Sequence, residues 1–165
     1  MGLFDFLFGK KEDKGGATTY GRINEEEAEH GLSFEQAQKL RDSFLSVMSQ
    51  DDEDRAFNAA AGLMLKGAFQ QTIEAYQSLA EKYPSRLGDC ESQIGAAYHF
   101  LKQYDKAIEY YRSAEKNGAD RSTMDDNTWE ACLAAFKKTN DKSYINKYLE
   151  LYPNGNYVKK ANKLL

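Results

Sequence analysis

Large apolar side chains fall along this chain in two unlike patterns. From Phe34 onward they recur every three or four residues: Phe34, Ala37, Leu40, Phe44, Val47 and Met48 form one stripe, and similar stripes follow to the last residue. That period puts them on one face of successive amphipathic helices. At the start, "MGLFDFLFGKK" instead crowds Leu3, Phe4, Phe6, Leu7 and Phe8 together, with Asp5 the only break. Between the two lie residues 9–31, with glycines, mixed charges and almost no aliphatics. Such a stretch cannot bury enough apolar surface to offset its ordering entropy, so it reads as a flexible linker. The pattern divides the chain into an apolar docking segment (1–8), a linker (9–31) and a helical domain (32–165).

Helix boundaries can be read locally. Ser33 followed three residues later by Gln36 makes a capping box, which predicts a helix from there to about Gln50. Asp51, Asp52, Glu53 and Asp54 then offer a cap and favourable negative charge to the next helix. From that point the chain repeats itself: Leu63, Phe69, Ile73 and Tyr76 recur 35 residues later as Tyr98, Tyr104, Ile108 and Tyr111. Each unit reads as helix, short turn, helix, the first at roughly 53–84 and the second at roughly 88–118. A third unit beginning near Trp129 has a shortened turn around Asn140, and a short helix at about 157–165 would cover the exposed end.

Ile94-Gly95 followed by Tyr98, then Ala107 and Tyr111, resembles the small-residue and aromatic pattern of a tetratricopeptide repeat. The first unit resembles it more loosely, with Ala60 for the glycine, Thr72 for the alanine, then Tyr76 and Pro84. In the third, Trp129, Cys132 and Phe136 fit, but Leu133 replaces the glycine. The resemblance covers about residues 53–153. It implies an all-α fold of antiparallel helix pairs stacked as a short right-handed superhelix, two regular repeats plus a degenerate third and a C-terminal capping helix. It also implies a concave groove lined by the first helix of each pair. Projected onto this chain, the groove residues are Phe57, Ala61 and Met64, then Ser92, Ala96 and His99, then Glu130, Ala134, Lys137 and Lys138. Phe57 and Met64 have a second reading, as packing residues beneath the 33–50 helix. The asparagines with which some relatives clamp a terminal carboxylate are replaced here by Ala61 and Ala96, so no such clamp is expected.

Charge adds a direction to this picture. The net charge is −4, yet residues 1–57 carry 7 Lys/Arg against 13 Asp/Glu, while residues from Lys137 onward carry 7 against 2. A basic C-terminal surface suits a protein or peptide partner of acidic character, and self-association is a further option. Without an arginine-rich stripe or stacking platform, nucleic acid is not expected as a partner.

Candidate chemistry is sparse. Cys90 and Cys132 have no ligand-spaced companions and read as small buried hydrophobes in a reducing compartment. His30 and His99 are the only histidines, and neither sits in a nucleophile–base pattern. Asp125 and Asp126 read as the negative start of the third unit's first helix, not as a catalytic pair. No enzyme activity, cofactor or metal is expected.

The opening run has its lysines after the apolar stretch and no small-residue cleavage site, unlike a secretory signal, and is far short of the ~20 residues that span a bilayer. A cytoplasmic protein is expected. Burying the five apolar side chains is worth on the order of 7–15 kcal/mol gross, and ordering the segment costs a similar amount. It therefore needs a preformed surface: its own domain, another protein, or a lipid interface. A linker of this length has an r.m.s. reach of about 25 Å, enough for any of them. Leu3, Phe4, Leu7 and Phe8 are read as the contacts of a helical plug in a protein groove, with Lys137 and Lys138 candidates to face Asp5. The alternative is a peripheral membrane protein anchored by this segment, whose affinity would be marginal because Glu12 and Asp13 offset Lys10, Lys11 and Lys14.

Overall fold

A computed structural model of the chain describes residues 32–165. The apolar segment with Leu3, Phe4, Leu7 and Phe8, the linker, and His30 lie outside the described residues. Within them the protein is all-α. Eight α-helices follow in order: α1 (Phe34–Met48), α2 (Glu53–Leu65), α3 (Phe69–Lys82), α4 (Leu87–Phe100), α5 (Tyr104–Lys116), α6 (Arg121–Thr139), α7 (Ser143–Leu151) and α8 (Val158–Asn162). A single 3₁₀ turn at Pro84–Arg86 joins α3 to α4, and no strand occurs among the described residues.

The local signals act as expected at the first two starts. The Ser33 hydroxyl accepts from the Gln36 N–H at 3.2 Å while the Gln36 side chain accepts from the Ser33 N–H at 2.9 Å, a complete capping box. Asp52 caps α2 by accepting from the Arg55 N–H at 3.0 Å. Each such cap satisfies donors that the helix itself cannot, worth about 1 kcal/mol.

Each helix packs on the next, so α2/α3, α4/α5 and α6/α7 form three antiparallel pairs, with α1 against α2 and α3 at one end and α8 against α7 at the other. The 35-residue register of the first two pairs extends to backbone detail. Ala68 N–H donates to Leu63 O at 3.0 Å, and Gln103 N–H donates to Tyr98 O at 2.9 Å. The residue between helices is left-handed in both, Gly67 with φ 72° and Lys102 with φ 59°. Such a residue closes a helix by letting the chain turn back on the last carbonyls. Ile73 and Ile108 are buried, as are Tyr76 and Tyr111 and the small residues Thr72 and Ala107. The Thr72 hydroxyl, where the second unit has a methyl, is satisfied by donating to Ala68 O at 2.9 Å.

Gly95 shows why the pairs close so tightly. A Cβ built there would lie 2.7 Å from the Tyr111 ring and 3.3 Å from the Ala107 carbonyl oxygen, so α4 and α5 meet at a separation that only glycine allows. The third pair solves its packing differently. Its turn is short, with Asn140 left-handed at φ 55°, and Trp129 meets Tyr148 edge-on at 5.0 Å and stacks on Tyr157 at 5.2 Å.

One expectation fails here. Asp125 and Asp126 do not start a helix: α6 begins at Arg121, capped by Asp120, whose carboxylate accepts from the Thr123 N–H at 2.8 Å. Asp125 is buried one turn further on. It accepts from the Tyr148 hydroxyl at 2.6 Å and from the Asn156 N–H at 2.7 Å, and Tyr157 N–H donates to that same hydroxyl at 3.0 Å. Gly155 fits into this knot, since a Cβ there would come within 2.8 Å of Asp125 Oδ1. The carboxylate pins the α7–α8 connection onto α6, a structural task.

Candidate functional site

The first helix of each pair carries the residues projected to line a groove, and burial sorts them into two groups. Met64 is 1% exposed and belongs to the same buried cluster as Phe44 of α1, so of its two readings the packing one describes the structure. Ser92 and His99 are also buried, together with Ala96, which corrects their placement on an accessible groove. The physical reason lies in α4. It is the central helix, flanked by α3, α5 and α6, and Gly88, Cys90, Ser92, Gly95, Ala96 and Ala97 let its neighbours close in around nearly its whole circumference.

His99 is boxed by aromatic rings, with Tyr104 at 5.5 Å and Phe100 at 6.0 Å between centroids. Burial pushes its pKa down to about 4, so the imidazole is neutral at pH 7 and offers no positive charge to a ligand. Burial likewise pushes the Cys90 thiol up to about 11 and the Cys132 thiol up to about 12, so both remain protonated and unreactive.

The accessible group sits toward the ends of the array. Phe57 is half-buried, edge-on to Tyr76 at 6.1 Å, with the Arg86 guanidinium 4.5 Å above its ring. Its exposed part is thus a rim feature beside a cation, and most of the ring serves the core. Glu130 is half-buried on α6, while Lys137 and Lys138 are exposed in its last turn. Lys138 lies 5.9 Å over the Tyr104 ring.

The lysines of α6 belong to a larger basic surface that the groove projection missed. Lys142, Lys159, Lys160 and Lys163 are exposed beyond them, and Lys142 donates to the Leu165 carbonyl oxygen, which brings the start of α7 and the end of α8 together. The signal in the sequence was the charge asymmetry; the arrangement on adjoining helices was not readable from it. Beside this surface an open depression of about 550 Å³ is lined by Asp105, Tyr144, Lys147 and Glu150 among others. Its central carboxylate is already engaged: Asp105 accepts from Tyr144 at 3.1 Å and from Lys147 at 3.3 Å. No helix among the described residues is long and apolar enough to cross a membrane.

Fold and surface define a class: an all-α array of helix pairs, tightly closed at its centre and strongly basic at its C-terminal end. Comparison with protein-family models, with curated proteins and with solved structures finds no match to this chain.

Proposed function

We propose that this chain is a non-catalytic, cytoplasmic adaptor of tetratricopeptide-repeat type that binds a protein or peptide partner. The observation that carries the reading is the 35-residue register, which persists through side-chain burial, the left-handed turn residue and the same backbone hydrogen bond in both regular units. Repeats of this kind stack because one pair cannot bury its apolar face alone, and arrays built this way commonly serve as extended binding surfaces.

Two surfaces carry the binding in this proposal. One is the tethered apolar segment, with Leu3, Phe4, Leu7 and Phe8 as its contacts. The other is the basic end around Lys137 and Lys138, which suits an acidic partner. Because α4 is closed, the middle of the array acts as a rigid spacer between them. The test is affinity capture by the intact chain, by the Phe4→Ser/Phe8→Ser chain and by a chain beginning at Leu32. Loss of the same captured protein from both altered chains is expected. Equal capture by all three removes the segment from the binding mechanism.

A further inference from the structure

The two ends of the array carry opposite charge. The C-terminal end is formed by α8, whose Lys159, Lys160 and Lys163 are exposed, with Lys142 tied beside it through Leu165. Residues 137–165 hold 7 Lys/Arg against 2 Asp/Glu, a balance of +5. The N-terminal end is formed by α1, and the chain enters it through Glu25, Glu26, Glu27 and Glu29. Residues 25–54 hold 10 Asp/Glu against 2 Lys/Arg, a balance of −8. Each end also leaves apolar side chains in solvent. Phe34 is 86% and Leu45 52% exposed on α1, eleven residues or about three turns apart and so on the same side of the helix, and Leu165 is 47% exposed at the other end.

We propose that the acidic N-terminal end of one copy docks on the basic C-terminal end of the next, so that the chain self-associates head to tail. This rests on the reading of the protein as a docking module and names the acidic partner that its basic end takes. Reach decides between a second copy and the chain's own arm. Glu29 precedes Leu32 by three residues and Glu25 by seven; fully extended, they reach about 10 and 25 Å. From α1 to α8 there are three helix-pair layers to cross, four steps at 8–10 Å each, or roughly 32–40 Å. The acidic run falls short of its own basic end even at full stretch, and a neighbouring copy's end has no such limit. A contact between two different surfaces does not close on itself unless its rotation forms a ring, so assembly continues past the dimer.

The test is sedimentation velocity of the full chain over a concentration series, at low ionic strength and at about 1 M salt, where the screening length falls to about 3 Å. Two variants accompany it, Lys159→Gln/Lys160→Gln/Lys163→Gln and Glu25→Gln/Glu26→Gln/Glu27→Gln/Glu29→Gln, each altering exposed or arm positions that no core contact uses. At low salt the unaltered chain is expected to rise in mass with concentration beyond a dimer, and at high salt to return to monomer. Each variant alone stays monomeric, and an equal mixture of the two forms one-to-one pairs and nothing larger, because each retains one competent end. A monomeric unaltered chain at low salt, assembly that ignores salt, or normal assembly by either variant overturns the proposal. The Phe4→Ser/Phe8→Ser chain separates it from the docking-segment reading. Continued assembly supports the charged contact; lost assembly overturns that contact while leaving the apolar segment as the docking element.

Discussion

Two helical glycines make opposite predictions from the same substitution. Gly62 lies in α2 with nothing within 4 Å of the position its Cβ would take, whereas the Cβ at Gly95 would press to 2.7 Å on the Tyr111 ring. Replacing Gly62 by Ala removes only the backbone entropy that glycine forfeits in a helix, and should stabilise the protein by about 0.5–1 kcal/mol. The same gain applies at Gly95, but there α4 and α5 must separate or Tyr111 must leave its rotamer. Tyr111 is 2% exposed and has no free space to enter, so overpacking of about 1–3 kcal/mol applies. The net expectation for Gly95→Ala is a loss of up to about 2 kcal/mol, and Gly95→Leu should lose more. Urea denaturation followed by circular dichroism reads both variants as shifts in midpoint at constant slope. A double variant adds the decisive arm: Tyr111→Leu removes the ring edge, so Gly95→Ala should cost less in that background than in the unaltered one. If Gly95→Ala stabilises as much as Gly62→Ala, or if its cost is unchanged by Tyr111→Leu, the close approach of α4 and α5 is not what the repeat is built on.

Other expectations follow from buried polar groups. His99 has its folded pKa depressed to about 4, so above pH 6.5 folding is not opposed by it, and as pH falls toward 4 the unfolded state takes up the proton first and stability drops. Between pH 7 and pH 5 that loss is about 2 kcal/mol, and a His99→Gln chain measured by the same denaturation should lack it; an equal pH dependence in both would place the imidazole in solvent. Asp125→Ala strands the buried Tyr148 hydroxyl and the Asn156 N–H, and should cost about 2–4 kcal/mol, with the Trp129 fluorescence changing as its neighbours Tyr148 and Tyr157 shift. An unchanged melting temperature and emission would refute the role of the carboxylate as the pin of the α7–α8 connection.

Much of the fold was legible because its signals are local. Ser33 and Gln36 needed only each other, and the recurrence of Ile73 and Tyr76 as Ile108 and Tyr111 located two pairs without any long-range knowledge. The misreadings are all questions of what lies opposite. Asp125 has the residue type of a helix start, but its partners Tyr148 and Asn156 stand 23 and 31 residues away, and Asp120 was the cap. Ser92 and His99 are polar on a helix of low contrast between faces, and polarity suggested exposure; the small residues around them instead let three helices converge on α4. The basic end was visible as composition, yet it became a surface only when Lys142 met Leu165.

The central claim is that this protein works by docking onto other protein surfaces, with its apolar start as one contact. Flotation of the intact chain with vesicles containing anionic lipid tests that most directly, because the same five side chains would also enter a lipid interface. The account predicts that the chain stays with the unbound protein at the bottom of the gradient, and that its Phe4→Ser/Phe8→Ser variant does the same. An intact chain that floats with the vesicles, and a variant that does not, would contradict it and make the helical array a spacer on a membrane surface.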